Sequence, residues 1–172
     1  FSSGNALRGV WNESSGNFYP YTDNAYACGQ SGNRWGSVWA FTGTIQTSDE
    51  TQKTDIAPTD LGLDFVLALN PVSYRWKVGG NIVTPAEDSD GTDIKEPIVT
   101  PRAGVRTHYG LLAQQVKSVL GEKDFGGYID DATTGEKGLR YDQFIAPMVK
   151  AIQELNAKVE ELSAEVKALK GA

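Results

Sequence analysis

A serine and a lysine stand five residues apart in the stretch IQTSDETQK, which occupies positions 45 to 53. A serine hydroxyl becomes an effective nucleophile only when a base takes its proton, so Ser48 needs a partner. Lys53 could be that base, because serine–lysine pairs are a known variant of the serine protease site. A lysine accepts a proton only as the neutral amine, which requires removal of water or a nearby positive charge.

The spacing of Ser48 and Lys53 restricts how their side chains can meet. Five residues of an α-helix turn through about 500°, which leaves the two side chains roughly 140° apart. On a strand, an odd offset places them on opposite faces. They can therefore meet only across a turn or between subunits. Spacing alone favours an ordinary polar segment, in which Asp49 and Lys53 form an i,i+4 ion pair on a helix.

The acidic run DSDGTD, at positions 88 to 93, could surround a calcium ion, because carboxylates are typical ligands of hard cations. An EF-hand loop needs Gly at its sixth position and Glu at its twelfth. Counted from Asp88, those positions hold Asp93 and Val99. The run is therefore interpreted as a solvated turn, and no metal site is predicted.

His108 is the only histidine of the chain and could act as a general base. A Ser-His-Asp triad through this residue stays open on sequence grounds. The sequence lacks the Gly-x-Ser-x-Gly elbow that carries the nucleophile in α/β-hydrolases. A lone histidine at the edge of an element is more often structural, so the structural interpretation is favoured.

The composition excludes several classes of partner. The chain has 172 residues, a net charge of −6 and no basic run, which argues against nucleic acid. Its single cysteine, Cys28, excludes an intrachain disulfide and a cysteine-based zinc site, and is expected to pack as a small apolar residue. No stretch approaches the ~20 apolar residues of a membrane span. No signal peptide is visible, the abrupt start at Phe1 suggests a piece of a longer chain, and no cofactor is expected.

Residues 1 to 47 are rich in Gly, Ser, Asn, Thr and aromatic residues. Short apolar pieces separated by turn residues predict short strands. The segment RWGSVWAFTGTIQT predicts one or two of them, with Trp35, Val38, Trp39 and Ile45 available for burial. The aromatic rings could stack on sugars, but a role in the core of a slim β-structure is favoured.

Residues 48 to 142 combine helices and strands. Residues 61–69 predict a short helix that Thr59-Asp60 can cap and Asn70-Pro71 ends. Three further elements are predicted along this zone. They are a strand at 72–78, an amphipathic helix within 108–122 ending at Gly121, and a hairpin at 125–141 that turns near Thr134-Gly135.

Residues 143 to 170 carry an uninterrupted heptad seam. The apolar positions alternate three and four apart: Ile145, Met148, Ile152, Leu155, Val159, Leu162, Val166 and Leu169. Because so narrow a stripe cannot be buried by its own helix, it predicts partner helices from other copies of the chain rather than docking on its own domain. Ile or Val at a with Leu at d leans toward two strands, so the seam does not settle the oligomer number.

Five segments in order resemble one family of proteins. They are YPYTDNAYACGQSGNRWGSVWAFTGTIQTSDE, which is similar to the end of a fibre, then SDETQK, LGLDFVLALNPVSYRWK, RTHYGLLAQQV and YDQFIAPMVKAIQELNAKVEEL. Together they resemble the C-terminal intramolecular chaperone domains of phage tailspikes, endosialidases and tail fibres, which are self-cleaving serine peptidases. The chain departs from the family at Thr51 and Gln52, where Arg and Leu are common, and at Gln115, where Glu is common.

The resemblance implies an α+β homotrimer in three parts. Residues 1–47 would be the end of the fibre or tailspike β-structure. Residues 48–142 would be a small mixed chaperone and autoprotease domain with an extended arm at 79–105 that clasps the upstream fibre. Residues 143–172 would be a C-terminal coiled-coil helix, with Met148, Ile152, Leu155, Val159, Leu162, Val166 and Leu169 as the trimer seam.

The resemblance also implies a function. The domain would trimerise and fold the upstream fibre of the same polypeptide, then cut itself off at Thr47–Ser48, with Ser48 as nucleophile and Lys53 as base. Assembly would take place in the host cytoplasm, and the released domain would be absent from the mature virion fibre. No cofactor, nucleic acid or membrane is involved. The alternatives are a non-cleaving trimerisation cap and a receptor-binding fibre tip that uses the aromatic first zone.

Overall fold

Two antiparallel strand pairs open the chain in the computed structural model, which describes residues 2–3, 6–30, 33–43, 45–84 and 98–171. The strands are β1 (Ser2–Ser3), β2 (Ala6–Leu7), β3 (Gly9–Asn12) and β4 (Asn17–Pro20), with β1 paired to β2 and β3 paired to β4. The Asn12 side chain accepts hydrogen bonds from the backbone N–H groups of Ser14 and Ser15, at 3.0 and 3.2 Å. Gly16 closes this turn at a φ of 69°, a conformation that glycine adopts at little cost.

The strands predicted for the segment RWGSVWAFTGTIQT are wrong for the single chain. Its described residues, 34–43 and 45–47, contain no strand. Trp35, Val38, Trp39 and Ile45 are 66 to 95 % exposed, so the expected burial is also wrong. Short apolar pieces do not by themselves supply a neighbouring strand, and this segment has none within the described chain.

The chain divides into two units, Phe1–Thr42 and Gly43–Ala172, and the second contains the principal core. Helix α1 (Leu63–Ala68) and helix α2 (Ala113–Leu120) each contribute one apolar face. The buried cluster is Leu61, Phe65, Val116, Leu120 and Phe144. Val116 is 1 % exposed, so α2 is anchored at its centre. Both predicted helices are therefore confirmed, with shorter bounds than the pattern indicates.

The N-terminus of α1 is capped from a distant helix and not by Thr59 or Asp60. The backbone N–H of Leu63 donates to Glu154 Oε2 at 2.7 Å, across 91 residues of sequence. Thr59 instead accepts from the N–H of Leu61. A carboxylate at this position satisfies a free N–H group and interacts favourably with the positive end of the helix dipole. The hydrogen bond from Leu63 holds the pKa of Glu154 below its usual range.

The strand predicted at 72–78 ends early. Strand β5 (Val72–Tyr74) pairs with β8 (His108–Gly110), so the first residues of the segment 108–122 form a strand rather than a helix. Beyond β5, the chain turns through a close approach of two backbones, where the Gly104 N–H donates to the Trp76 carbonyl at 2.9 Å. Gly79 lies against Gly104 with no room for a side chain. The next strand pair begins directly after this contact.

That next pair is a ribbon of β6 (Gly80–Thr84) and β7 (Ile98–Arg102), in register from Gly80↔Arg102 to Thr84↔Ile98. All ten of its residues are exposed. The ribbon occupies both described ends of the arm predicted at 79–105. The acidic run at 88–93, considered above as a calcium site, lies outside the described residues.

The hairpin predicted at 125–141 is confirmed. Strands β9 (Tyr128–Asp130) and β10 (Lys137–Leu139) pair antiparallel, and Gly135 stands in the turn at a φ of 71°. A short 3-10 turn, Tyr141–Phe144, then leads into helix α3 (Ile145–Lys170). Pro147 and Ala151 are buried, and α3 packs against α1. The fold is thus a mixture of helices and two-stranded sheets with a long C-terminal helix, as the α+β prediction requires.

Candidate active site

The residues after Ser48 form one turn of 3-10 helix, Glu50–Gln52. Asp49 caps this turn, because its Oδ1 accepts from the Thr51 backbone N–H at 2.9 Å and from the Thr51 hydroxyl at 2.7 Å. The Thr51 hydroxyl first, and then the Thr51 N–H, hold the pKa of Asp49 below its usual range. The Lys53 N–H closes the turn on the Glu50 carbonyl at 3.1 Å.

This turn brings Ser48 and Lys53 together. Lys53 Nζ donates to Ser48 Oγ at 2.8 Å and lies 3.3 Å from the Ser48 carbonyl oxygen. The contact crosses a turn, as the spacing argument requires, and lies within one chain. Among the described residues no ion pair joins Asp49 to Lys53, and Asp49 Oδ1 accepts from Thr51 instead. The alternative of an i,i+4 ion pair on a helix is therefore wrong.

The distance of 2.8 Å is within the reach required of a nucleophile and its base. In the ammonium form Lys53 donates to Ser48, so its proton must leave before it can accept the serine proton. The contact therefore has the geometry expected of a nucleophile and its base, and the catalytic roles of the two residues stay a prediction. Those roles would require removal of water from the amine, because a less hydrated environment favours a neutral amine.

The pair opens onto a groove of ≈ 890 Å³. Its lining joins the segment around the pair to the beginning of α3. The lining residues are Gln46, Thr47, Ser48, Lys53, Pro58, Thr59, Asp142, Gln143, Ile145, Ala146, Val149, Lys150 and Gln153. The Thr47–Ser48 bond therefore lies in a concave surface that is accessible to water.

Gln46 and Asp142, which sequence reasoning missed, meet beside the pair. Gln46 Nε2 donates to Asp142 Oδ2 at 2.8 Å, and Gln143 Nε2 donates to the same oxygen at 3.0 Å. These two hydrogen bonds, with that from Gln46 the stronger influence, hold the pKa of Asp142 below its usual range. The two residues are 96 positions apart, so no local pattern could have indicated the contact.

His108 belongs to a different part of the unit. Its ring stacks on Tyr74 at a centroid distance of 5.6 Å and meets Trp76 edge-on at 6.3 Å. Within the described chain, His108 is not among the residues that line the groove. The structure therefore does not bring His108 to Ser48, and the triad considered from the sequence is not formed.

The positions that depart from the family pattern also have defined contacts. Thr51 binds Asp49, and Gln115 accepts from Asn70 Nδ2 at 3.3 Å, away from the groove. Neither side chain contacts Ser48 or Lys53 in the described structure. Thr51 thus contributes to the Ser48–Lys53 contact only through the cap of the turn, and Gln115 lies elsewhere.

The predicted trimer seam lies on the exposed side of α3. Met148, Ile152, Leu155, Val159, Leu162, Val166 and Leu169 are 44 to 79 % exposed. Within the described ranges no group of His, Cys, Asp and Glu residues could hold a metal ion. A helix long and apolar enough to cross a membrane is likewise not found in that part of the chain.

Comparison with known proteins supports the family resemblance. Residues 48–124 match the model of the peptidase family described as chaperone of endosialidase, and the match begins at Ser48 itself. The resemblance identified from the sequence is thereby confirmed over residues 48–124. No curated protein sequence matches the chain.

A similar solved structure is the carboxy-terminal domain of the bacteriophage T5 L-shaped tail fibre with its intramolecular chaperone domain. The sequences are 18 % identical, and the TM-score is 0.35. The alignment covers 66 % of this chain and 37 % of the T5 chain, so this chain spans little more than a third of that protein.

Proposed function

We propose that this chain is the intramolecular chaperone of a phage tail fibre or tailspike, and that it releases itself by cutting the Thr47–Ser48 bond. The observation that carries the proposal is the 2.8 Å contact between Lys53 Nζ and Ser48 Oγ, formed across a turn. It stands at the first residue of the segment that matches the chaperone of endosialidase family. The name of that family, a peptidase family, supports self-cleavage as the reaction.

The proposed reaction is a single turnover within one chain. Neutral Lys53 takes the proton from Ser48 Oγ, which attacks the carbonyl carbon of Thr47 and forms a C–O bond. The C–N bond between Thr47 and Ser48 then breaks, and the proton held by Lys53 passes to the departing amine. The product is an ester of Thr47 on Ser48. Water from the open groove hydrolyses this ester, which leaves the Thr47 carboxylate and restores the Ser48 hydroxyl.

Assembly is the proposed trigger for the reaction. The seam of α3 is exposed in the single chain, so association through three such helices would bury it. Lys53 is also exposed in the single chain. Packing of a second subunit near the groove would remove water from its amine and favour the neutral form. Cleavage would then report correct assembly, and removal of the folding template would leave the fibre kinetically trapped.

The proposed partners and location follow from this role. The domain associates with two further copies of itself and with the upstream fibre of the same polypeptide. It acts during assembly in the host cytoplasm and is absent from the finished fibre of the virion. The proposal requires no cofactor.

A time course on a denaturing gel tests the proposal. The 18.6 kDa chain of 172 residues should lose a fragment of about 5 kDa, which corresponds to the 47 residues before the cut. Ser48→Ala and Lys53→Ala should stay intact, whereas Ser118→Ala and Lys77→Ala, at exposed positions on α2 and after β5, should cut as the wild type does. A wild type that trimerises and stays intact indicates a non-cleaving trimerisation cap instead.

A further inference from the structure

The two sides of the Thr47–Ser48 bond are held in different ways. The side after the bond is fixed locally, by the capped 3-10 turn and the contact from Lys53 to Ser48. Residues 45–47, before the bond, have no regular structure, and Ile45 is 94 % exposed. Among the hydrogen bonds of the described residues, only that from Gln46 to Asp142 ties residues 45–47 to the rest of the unit.

Asp142 is a well-anchored acceptor. It lies in the 3-10 turn Tyr141–Phe144, whose last residue is buried in the core at 4 % exposure. The first residue of that turn is held as well, because the Leu111 N–H donates to the Tyr141 hydroxyl at 2.9 Å. The turn that carries Asp142 is thus held at both of its ends, which restricts where the Asp142 carboxylate can lie.

The position of Gln46 controls where the Thr47 carbonyl lies. Gln46 is adjacent to Thr47, so holding its side chain limits the rotation of the peptide that precedes the bond to be cut. Attack requires the reacting atoms to lie about 3–3.5 Å apart with correct alignment. If Gln46 were not held, the Thr47 carbonyl would sample many orientations and rarely meet this condition.

We propose that Asp142 is a positioning residue for self-cleavage, which holds Gln46 and thereby presents the Thr47 carbonyl to Ser48. This inference rests on the proposed function. Asp142 lies in the 3-10 turn that leads into the helix carrying the predicted seam, so the segment to be cut is tied to the beginning of that helix. Asp142 itself does not contact the reacting atoms in this role.

Exchanging donor and acceptor tests the contact. In Gln46→Glu two carboxylates face each other, and their repulsion should release the segment and slow cleavage by about 10- to 100-fold. Combining Gln46→Glu with Asp142→Asn restores a hydrogen bond, because the new amide can donate to the new carboxylate, and most of the wild-type rate should return. Gln114→Glu adds the same charge at an exposed position of α2 and should cut at the wild-type rate.

Cleavage rates are read from gel time courses at equal concentration, and the mass in solution and the thermal unfolding midpoint of each variant confirm that it is assembled and folded. The positioning role is overturned if assembled Gln46→Glu cuts as fast as the wild type, or if the double variant stays as slow as the single one. A wild type that never cuts overturns the proposed function, and the positioning role with it. These outcomes separate the positioning role from the proposed function. The two results that overturn the positioning role alone are comparisons of cleavage rates, which require a wild type that cleaves.

Discussion

The two halves of α3 share one heptad pattern but have different surroundings. In the first half, Pro147 and Ala151 are buried against the rest of the unit, and Glu154 caps α1. The seam lies on a neighbouring face of the same helix. From residue 155 onward the described residues of α3 are all exposed, and those of the seam are at least 47 % exposed. The heptad pattern thus identifies an apolar stripe, but what covers each face of the helix has to come from the fold.

The two halves of α3 are therefore expected to have different roles. The first half anchors the groove that contains Ser48 and Lys53, since residues from Asp142 to Gln153 line it. In the proposed assembly, the second half offers its exposed apolar side chains to other copies of the chain. Changes in the first half should therefore alter folding and site geometry, and changes in the second half should alter assembly.

The largest effect is expected from placing charge in the second half of the seam. Leu155→Asp with Leu162→Asp should leave the single chain folded but prevent association, because two carboxylates cannot be buried unpaired between helices. Light scattering coupled to size exclusion should give the mass of three chains for the wild type and of one chain for the variant. Cleavage should be lost together with assembly.

A matched control moves the same change to the polar face. Ala157→Asp with Ala164→Asp lies two positions further along the helix and should stay trimeric and cut normally. Efficient cutting by a demonstrated single chain of the seam variant contradicts the link between assembly and cleavage.

The next largest effect is expected on stability, from a change in the core next to the first half of α3. Phe144 is 4 % exposed and contacts Phe125 and Phe65 at centroid distances of 5.0 and 6.3 Å. Phe144→Ala should lower the free energy of unfolding by about 3–5 kcal/mol, since it removes buried area and leaves a cavity. Urea unfolding in the single-chain seam variant measures this without a contribution from association. Val105→Ala, at a 76 % exposed position, should change the value by less than about 0.5 kcal/mol.

A smaller effect is expected at the cap that joins the first half to α1. Glu154→Ala leaves the Leu63 N–H without its partner and should lower the thermal unfolding midpoint, but less than Phe144→Ala does. Glu154→Gln keeps an acceptor oxygen and should recover most of the loss. Glu161→Ala, in the second half of α3, should leave the single-chain midpoint unchanged; an equal loss there would remove the distinction between the halves.

The smallest effect is the pH dependence of the same cap. The pKa of Glu154 is lowered in the folded chain by the Leu63 N–H, so ionised Glu154 stabilises the fold above the ordinary glutamate pKa. This contribution is lost as the pH falls through the lowered folded value. The difference in midpoint between the wild type and Glu154→Gln should therefore shrink on acidification, and a difference that grows below neutral pH would contradict the assignment.

Local patterns predicted the contacts that are close in sequence. A spacing of five residues excludes a contact between Ser48 and Lys53 along a helix or a strand. Within one chain the two side chains can therefore meet only across a turn, and the structure has that turn. The hairpin around Gly135 and the end of α2 at Gly121 were predicted by the same kind of reasoning, because both depend on glycine at positive φ. The helix α3 and its apolar stripe were predicted from the period alone, and the role of the stripe as a trimer seam stays a prediction.

Contacts between distant residues were beyond such patterns. Gln46–Asp142 and Leu63–Glu154 join polar groups 96 and 91 residues apart, and neither has a periodic signature. The close approach of the Gly79 and Gly104 backbones likewise depends on where the ribbon returns, which no local pattern indicates. The prediction of strands around Trp35 and Trp39 was wrong because short apolar pieces do not by themselves provide a partner strand.

Intact mass spectrometry of the assembled chain tests the central claim most directly. The account predicts two products from the wild type, residues 1–47 and residues 48–172, with Ser48 as the new N-terminus of the larger one. It predicts an unbroken 18.6 kDa chain, less only the mass of the substitution, for Ser48→Ala and Lys53→Ala. An assembled wild type that keeps its full mass, or a cut at any other bond, would contradict it.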